Sequence, residues 1–240
     1  MDDYDPRLVD LYDDDNPDGP DHDFYRGLAR ELDARAVLDL GCGTGILTVT
    51  FVQNGLTVVG VDPSRSMLDY AERRSGAEAV RWVHGDSRDI PAIDFDLAVM
   101  TGNVAQHIAD ADWSRTLRDI RARLRSGGRL AFETRNPADR AWEGWQSSDR
   151  PVRDTAHGPL VEWAEITDVH DGIVDATFYN EFLRTGDVVA QTVRLAFRDL
   201  ETLRVQLDDA GFAIEAAYED WAAHPFEGAG PLIIVVARAA

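Results

Sequence analysis

Val37-Leu38-Asp39-Leu40-Gly41-Cys42-Gly43-Thr44-Gly45 is the stretch that decides the fold. Apolar residues run into three glycines spaced two apart, and an amphipathic segment, residues 46–53, follows at once. The pattern predicts a buried parallel strand, a tight turn and a helix. Glycine puts no side chain between the backbone and a ligand. A helix N-terminus presents unpaired N–H groups to that ligand. A dinucleotide fingerprint reads G-x-G-x-x-G. Counted from Gly41, its last glycine would stand at Ile46, whereas here the third glycine is Gly45.

Downstream, strand-like and helix-like segments alternate. Thr57-Val58-Val59-Gly60-Val61-Asp62 reads as a second strand, with Pro63 and a helix from Ser64 to about Arg74 after it. Asp62 stands at the strand's carboxyl end, where open parallel sheets bind ligands, and it is equally placed to cap the helix. Val80-Arg81-Trp82-Val83-His84 reads as a third strand, followed by Gly85-Asp86-Ser87. Phe95-Asp96-Leu97-Ala98-Val99-Met100 reads as a fourth, followed by Thr101-Gly102-Asn103. Trp113, Leu117, Ile120 and Leu124 share one helical face. Ser126-Gly127-Gly128 then breaks that helix, and a fifth strand starts at Arg129.

This order of motifs resembles the class I S-adenosylmethionine-dependent methyltransferases, whose first motif is an acidic residue before G-x-G-x-G. The resemblance implies an α/β fold, a Rossmann-like, doubly wound, mostly parallel sheet of seven strands. It implies that S-adenosylmethionine is the cofactor and S-adenosylhomocysteine the product. It implies cofactor contacts from Asp39, Gly41, Cys42 and Gly43 in the first motif. Asp62 would accept the ribose hydroxyls, with Pro63 and Met67 beside it. Asp86 would take the adenine amino group, with Ser87 next to it. Gly102, Asn103 and His107 would flank the sulfonium and its amino-acid tail. His107 is also the candidate catalytic base, with helix-start packing as its competing role. Metal-dependent relatives carry an aspartate at the end of the fourth strand. Thr101 stands there, so no metal site is expected.

The chain's 240 residues allow one substantial core and an insertion. Net charge is −20, and all 24 basic residues are arginine, which excludes a lysine Schiff base and a P-loop lysine. Such an anionic surface disfavours nucleic-acid partners. No apolar run reaches the roughly 18 residues of a membrane span. Cys42 is the only cysteine, which rules out an internal disulfide. With an acidic N-terminus against a targeting peptide, the expected location is cytoplasmic.

Residues 1–36 read as an acidic cap segment, a turn-rich loop ahead of a helix from about Asp23 to Leu32. Asp14-Asp15-Asn16-Pro17-Asp18-Gly19 imitates half an EF-hand loop, but its twelfth position is Tyr25 rather than glutamate. Tyr4, Tyr12, Tyr25 and His22 are available as lid contacts, with packing and capping as their competing roles. The core is expected over 37–137 and 196–240. Residues 138–195 hold three strand-like stretches, 160–169, 173–183 and 188–197, turned at Asp171-Gly172 and Thr185-Gly186-Asp187. This antiparallel meander resembles the sheet inserted after strand five in small-molecule methyltransferases, where it covers substrate or makes a dimer. Asp199 is placed to cap a last helix ended by Gly211, before two closing strands.

The expected activity is metal-independent methyl transfer to an N or O atom of a small molecule, by a monomer or homodimer. The expected acceptor site lies between the ends of strands four and five, the N-terminal segment and the insertion. Tyr12, Tyr25, Arg135, Trp142 and Trp145 are its candidate residues. Two alternatives stay open, a non-catalytic S-adenosylmethionine-binding protein and a nicotinamide-dependent oxidoreductase; Ile46 weighs against the latter.

Overall fold

The computed structural model describes residues 3–52, 56–146 and 149–240. Its helices are α1 (Pro6–Asp15), α2 (Pro20–Glu31), α3 (Arg65–Ala71), α4 (Val104–His107), α5 (Asp110–Arg121) and α6 (Leu200–Asp209). The core strands are β1 (Ala36–Leu40), β2 (Thr57–Asp62), β3 (Val80–His84), β4 (Phe95–Met100) and β5 (Leu124–Arg135). Between β5 and the closing strands come β6 (Val152–Thr155), β7 (Gly158–His170), β8 (Ile173–Phe182) and β9 (Asp187–Ala196). The closing strands are β10 (Phe212–Tyr218) and β11 (Leu232–Ala239).

Seven strands form one sheet in the order β10-β11-β5-β4-β1-β2-β3, and β6-β7-β8-β9 form a separate antiparallel sheet. The large sheet is parallel except at β11, which runs against both β5 and β10. Strand order reverses at β1, which pairs with β2 on one side and β4 on the other. That reversal opens a crevice beyond the carboxyl ends of β1 and β4.

Alternate residues along the strands fill two layers, as the two-residue strand period requires. Leu38, Val59, Ala98, Met100 and Phe132 pack with α5 and α6 through Trp113, Leu117, Ile120 and Leu203. Val37, Val58, Leu97, Val99 and Ala131 pack with Tyr25 and Ala29 of α2. Strands buried on both faces explain the near-continuous apolar runs that mark them in the sequence.

Several boundaries depart from the sequence expectation. The helix expected over residues 46–53 is not an α-helix where it is described; Thr48–Val52 form a 3-10 helix. Four of its five residues are threonine or valine, and β-branched side chains lose χ1 freedom in a helix. The stop expected at Asn54-Gly55 lies outside the described residues. The loop read before α2 is in fact α1, started by Pro6 at its first turn and capped by Asp5, whose side chain accepts from the Arg7 N–H at 2.9 Å. Its apolar positions, Leu8, Val9 and Leu11, were obscured by the surrounding aspartates. Leu124 ends no helix: α5 stops at Arg121 and β5 begins at Leu124. Ser126-Gly127-Gly128 instead makes an irregularity inside β5, where Gly127 takes φ +79° and the register against β4 shifts. The short, polar β6 carries no alternating apolar signal and had no sequence counterpart.

Asp199 caps α6 as expected, accepting from the Thr202 N–H at 2.7 Å. Asp171 and Gly172, at φ +47° and +77°, turn β7 into β8.

Gly45 sets how closely the first turn packs. A Cβ there would lie 2.5 Å from Trp82 Cη2 and 3.1 Å from the Ala71 Cβ, on a backbone at φ +73°. Gly45→Ala is therefore expected to destabilise the fold by about 1–3 kcal/mol through overpacking and strain. Urea unfolding checks this, and a loss below about 0.5 kcal/mol would contradict it.

Candidate active site

The three glycines divide their work. A Cβ on Gly41 would meet Val104 Cγ2 at 2.5 Å, and one on Gly45 would meet Trp82, so these two serve packing. Gly43, at φ +52°, has nothing within 4 Å of its would-be Cβ, so its backbone is the part left open to a ligand. The Gly43 N–H donates to Asp62 Oδ2 at 2.8 Å, and Ser64 N–H donates to Asp62 Oδ1 at 2.8 Å. Asp62 thus ties the turn to the end of β2, while Ser64 itself caps α3. Cys42 contributes backbone to the turn. Its buried sulfur lies 3.0 Å from where a Gly60 Cβ would stand, and burial pushes the thiol's pKa well up.

Three buried carboxylates converge on this edge: Asp39, Asp62 and Glu133. None of them forms an ion pair among the described residues. Asp39 Oδ2 accepts from the Thr48 hydroxyl at 2.6 Å, while Asp39 Oδ1 is buried with no partner. Burial raises the Asp39 pKa to about 7, and Asp62 and Glu133 add to the rise. Burial likewise raises Asp62 and Glu133 above their usual range. Glu133 accepts from the Tyr25 hydroxyl and, at 2.6 Å, from the Asn103 N–H. Gly102 and Asn103 both take left-handed backbone, φ +69° and +60°, so the chain leaving β4 turns sharply into α4. Asn103 Oδ1 is also buried without a partner. Acceptors left unmatched in a low-dielectric edge call for a donor, and a cationic one answers both the hydrogen bonds and the charge. The ammonium of S-adenosylmethionine supplies that, so the residues present fit the group the fold implies.

A cover lies over this edge. Asp3 accepts from the Ser66 N–H at 2.9 Å and from the Ser64 hydroxyl at 2.5 Å, pinning the N-terminal segment to the start of α3. Asp13 accepts from the Thr44 hydroxyl at 2.6 Å and pairs with Arg74, pinning α1 to the glycine turn. On its other side α1 buries Leu11 against Leu160 and Phe182 of the small sheet. Tyr12 lies over the β4 turn, its hydroxyl 3.7 Å from where a Gly102 Cβ would stand. Burial pushes its pKa up to about 12. Tyr4 is half-buried and raised by burial and by the Asp62 charge.

The expectation of a substrate contact at Tyr25 is not met. Its ring is fully buried between Phe24 and Trp221, and its hydroxyl is spent on Glu133. His22 is buried too, with Nδ1 2.8 Å from Asp18.

Across the crevice, α4 carries Gln106 and His107 next to Arg135 at the end of β5. Arg135 Nη1 donates to Gln106 Oε1 at 3.0 Å, and its guanidinium carbon lies 5.4 Å from the Trp145 ring centre. The His107 residue is exposed, yet the protein atoms crowding its ring, and then Arg135, hold its pKa below the usual imidazole value. Trp142 packs edge-on against Phe197 at 4.6 Å. Met67 is buried and Pro63 exposed beside Asp62. Asp86 caps a 3-10 turn, Ser87–Asp89, and pairs with Arg88 at the surface. The Ser87 hydroxyl is turned away to Asp119 Oδ2, 2.7 Å off, so only the Ser87 backbone remains for a ligand.

Glu133, Asp13 and Asp3 were missed in the sequence. Glu133 had a signal: it is a carboxylate in an otherwise apolar strand, two residues after the buried Ala131. Asp3 and Asp13 had none, being two among many aspartates. Among the described residues one group could gather around a cation, Asp168, His170 and Asp175, with ligand atoms within 4.8 Å of one another. Arg194 already holds Asp175 there through two bonds, at 2.7 and 2.8 Å. No helix of the described residues is long and apolar enough to cross a membrane.

Residues 37–128 match the family model described as a methyltransferase domain. Glycine N-methyltransferase of Rattus norvegicus is 33% identical over 127 residues, covering 46% of this chain and 43% of that protein. Cypemycin N-terminal methyltransferase of Streptomyces is 38% identical over 114 residues, covering 46% of each. The chain thus spans less than half the length of these curated relatives. Among solved structures, an S-adenosylmethionine-dependent methyltransferase from Clostridium acetobutylicum superposes with TM-score 0.79 at 17% identity, covering 96% of this chain and 97% of that one. A sugar N-methyltransferase from Streptoalloteichus gives TM-score 0.74 at 22% identity, covering 99% and 96%. The likeness over the whole length, small sheet included, is one of fold.

The raised Asp39 pKa has a definite consequence for stability. Between the unfolded value of 3.8 and the folded value of about 7, the folded state holds a proton that the unfolded state has lost. Stability from this group is therefore full below the lower value and declines as pH rises through that window. Asp39→Asn is expected to flatten the fall in melting temperature between about pH 4 and pH 7. A melting profile with the same slope in both proteins would contradict the assignment.

Proposed function

We propose that this chain, whose residues 37–128 match a methyltransferase domain, is a class I S-adenosylmethionine-dependent methyltransferase and transfers a methyl group from S-adenosylmethionine to an N or O atom of a small molecule. The observation that carries this reading is the two buried, unpartnered oxygens, Asp39 Oδ1 in β1 and Asn103 Oδ1 after β4, together with the open backbone of Gly43 in the turn that follows β1. When bound, the cofactor supplies an activated methyl on sulfur, so the protein's task is alignment more than activation.

The chain's residues divide that task. Asp39 and Asn103 hold the ammonium end, and Gly43 lets it approach. Asp62 accepts from the ribose hydroxyls with the lone pairs its two backbone bonds leave free. Asp86 takes the adenine amino group; its pairing with Arg88 is exposed and worth little, so exchange is cheap. Tyr12 and the strap of α1 exclude water from above. His107, kept neutral by its surroundings, accepts a proton from the acceptor as the new bond forms. An amine acceptor needs only that deprotonation. Thr101 at the end of β4 offers no carboxylate to a metal, so the proposed transfer uses none. One curated relative and one structural neighbour named above are N-methyltransferases by name, which favours nitrogen as the acceptor atom.

Asp62→Ala should weaken S-adenosylmethionine binding by about 1–3 kcal/mol, the scale for lost hydrogen bonds to a charged group. Calorimetric titration measures it, and unchanged affinity would remove Asp62 from the cofactor site.

A further inference from the structure

The chain holds 44 acidic residues against 24 arginines. Arg135 is the arginine that stands at the end of β5, against α4. It is half-buried at the last position of β5, and among the described residues it forms no ion pair. One arm of its guanidinium donates to Gln106 Oε1 at 3.0 Å, and among the described residues no carboxylate accepts from the remaining N–H groups, the Glu133 charge acting on them only from beyond hydrogen-bond range. Gln106 is itself fully buried, and its Nε2, a donor, has no partner among the described residues. A buried donor without an acceptor therefore sits beside a half-buried cationic fork, and leaving the buried one unmatched is costly unless an acceptor arrives.

The surroundings say what that acceptor is. Trp145 stands under the Arg135 guanidinium, 5.4 Å from ring centre to carbon, and fixes the plane of the fork. The same indole packs on Phe178 at 5.7 Å. Trp145 and Phe178, with Asn180 and Glu162, line a cleft of about 300 Å³ under the small sheet. That volume lies at the lower end for small-molecule sites. A planar, rigid fork with free N–H pairs matches a carboxylate. A dianionic phosphate fits less well, because a single cation stands here with Glu133 two residues away and Asp39 and Asp62 at the same edge. We propose that Arg135, backed by Gln106 and walled by Trp145, binds a carboxylate group of the methyl acceptor, whose body occupies the cleft under the small sheet. The acceptor is then a small amino or hydroxy acid rather than a neutral amine. This rests on reading the edge as a methyl-transfer site, but the anion subsite can be tested apart from it.

The test uses benzoate and its neutral, isosteric partner benzamide as probes, titrated calorimetrically into the full chain with and without S-adenosylhomocysteine. Benzoate should bind about tenfold or more tightly than benzamide, the scale of one charge-assisted fork. Arg135→Gln should erase that preference while leaving benzamide binding and S-adenosylhomocysteine affinity unchanged, the latter also reporting that the variant is folded. Arg135→Lys, which keeps the charge and loses the fork, should retain a reduced preference. Equal binding of the two probes to the natural chain would overturn the proposal, as would a preference that survives in Arg135→Gln. Phenyl phosphate binding more tightly than benzoate would overturn the carboxylate assignment. Failure of S-adenosylhomocysteine to bind, with the benzoate preference intact, would instead count against the cofactor reading and leave the anion subsite standing.

Discussion

Three carboxylates buried at one sheet edge without an ion pair are the constraint on which the site depends. Asp39, Asp62 and Glu133 are each less than a tenth exposed. Gathering them there costs stability, because burial and mutual repulsion both oppose their charge. The local architecture offsets part of that cost with directed donors. Thr48 serves Asp39, Gly43 and Ser64 serve Asp62, and Tyr25 and Asn103 serve Glu133. Each donor also fixes a piece of the site. The Asp62 bond holds the glycine turn, and the Glu133 bond holds the left-handed turn after β4. Asp39 alone keeps an oxygen unmatched, and with Asn103 Oδ1 it gives the edge its demand for a cation.

The cover is built as one connected layer. α1 is fastened below to the glycine turn through Asp13 and above to the small sheet through Leu11, Phe182 and three surface pairs. Those pairs join Arg7 to Asp187, Asp10 to His157 and Asp15 to Arg153. They are exposed and individually weak, so the apolar contact around Leu11 sets the joint. At the far end of the insertion, the buried Arg198 donates to the carbonyls of Ala105 and Ile108 at 2.9 and 2.8 Å and pairs with Asp110. The small sheet is thereby tied both to the strap over the cofactor edge and to the short helix bearing His107.

Much of this was legible in the sequence, for identifiable reasons. β2 and β4 fall where their apolar runs place them, because strands buried on both faces leave an unmistakable pattern. The seven-stranded, mostly parallel sheet is the one that the family resemblance of these motifs implies. Asp39, Gly43, Asp62 and Asn103 could be placed at the sheet's carboxyl edge because each sits at a fixed step from a strand's end. Positions that depend on contacts distant in sequence were not recoverable. Tyr25 reads as a surface aromatic in an acidic segment, yet packing against Trp221 carries it into the core. Glu133 becomes visible as a site residue only once α2 and the β4 turn are seen to meet over it. α1 was hidden by its aspartates, since its apolar face is covered by a sheet more than a hundred residues away. The segment after Gly45 failed for a local reason, its β-branched residues preferring a tight 3-10 turn to an α-helix.

The central claim is that a cationic ligand end is recognised by a carboxyl group which is largely protonated until that ligand arrives. Proton release on S-adenosylmethionine binding tests this most directly. Calorimetric titrations at about pH 6.5, in buffers of differing ionisation enthalpy, measure it, since linkage requires Asp39 to lose its proton as the cation docks. The account predicts a net release of protons that disappears in Asp39→Asn. Binding with no proton release, or with uptake, would contradict it.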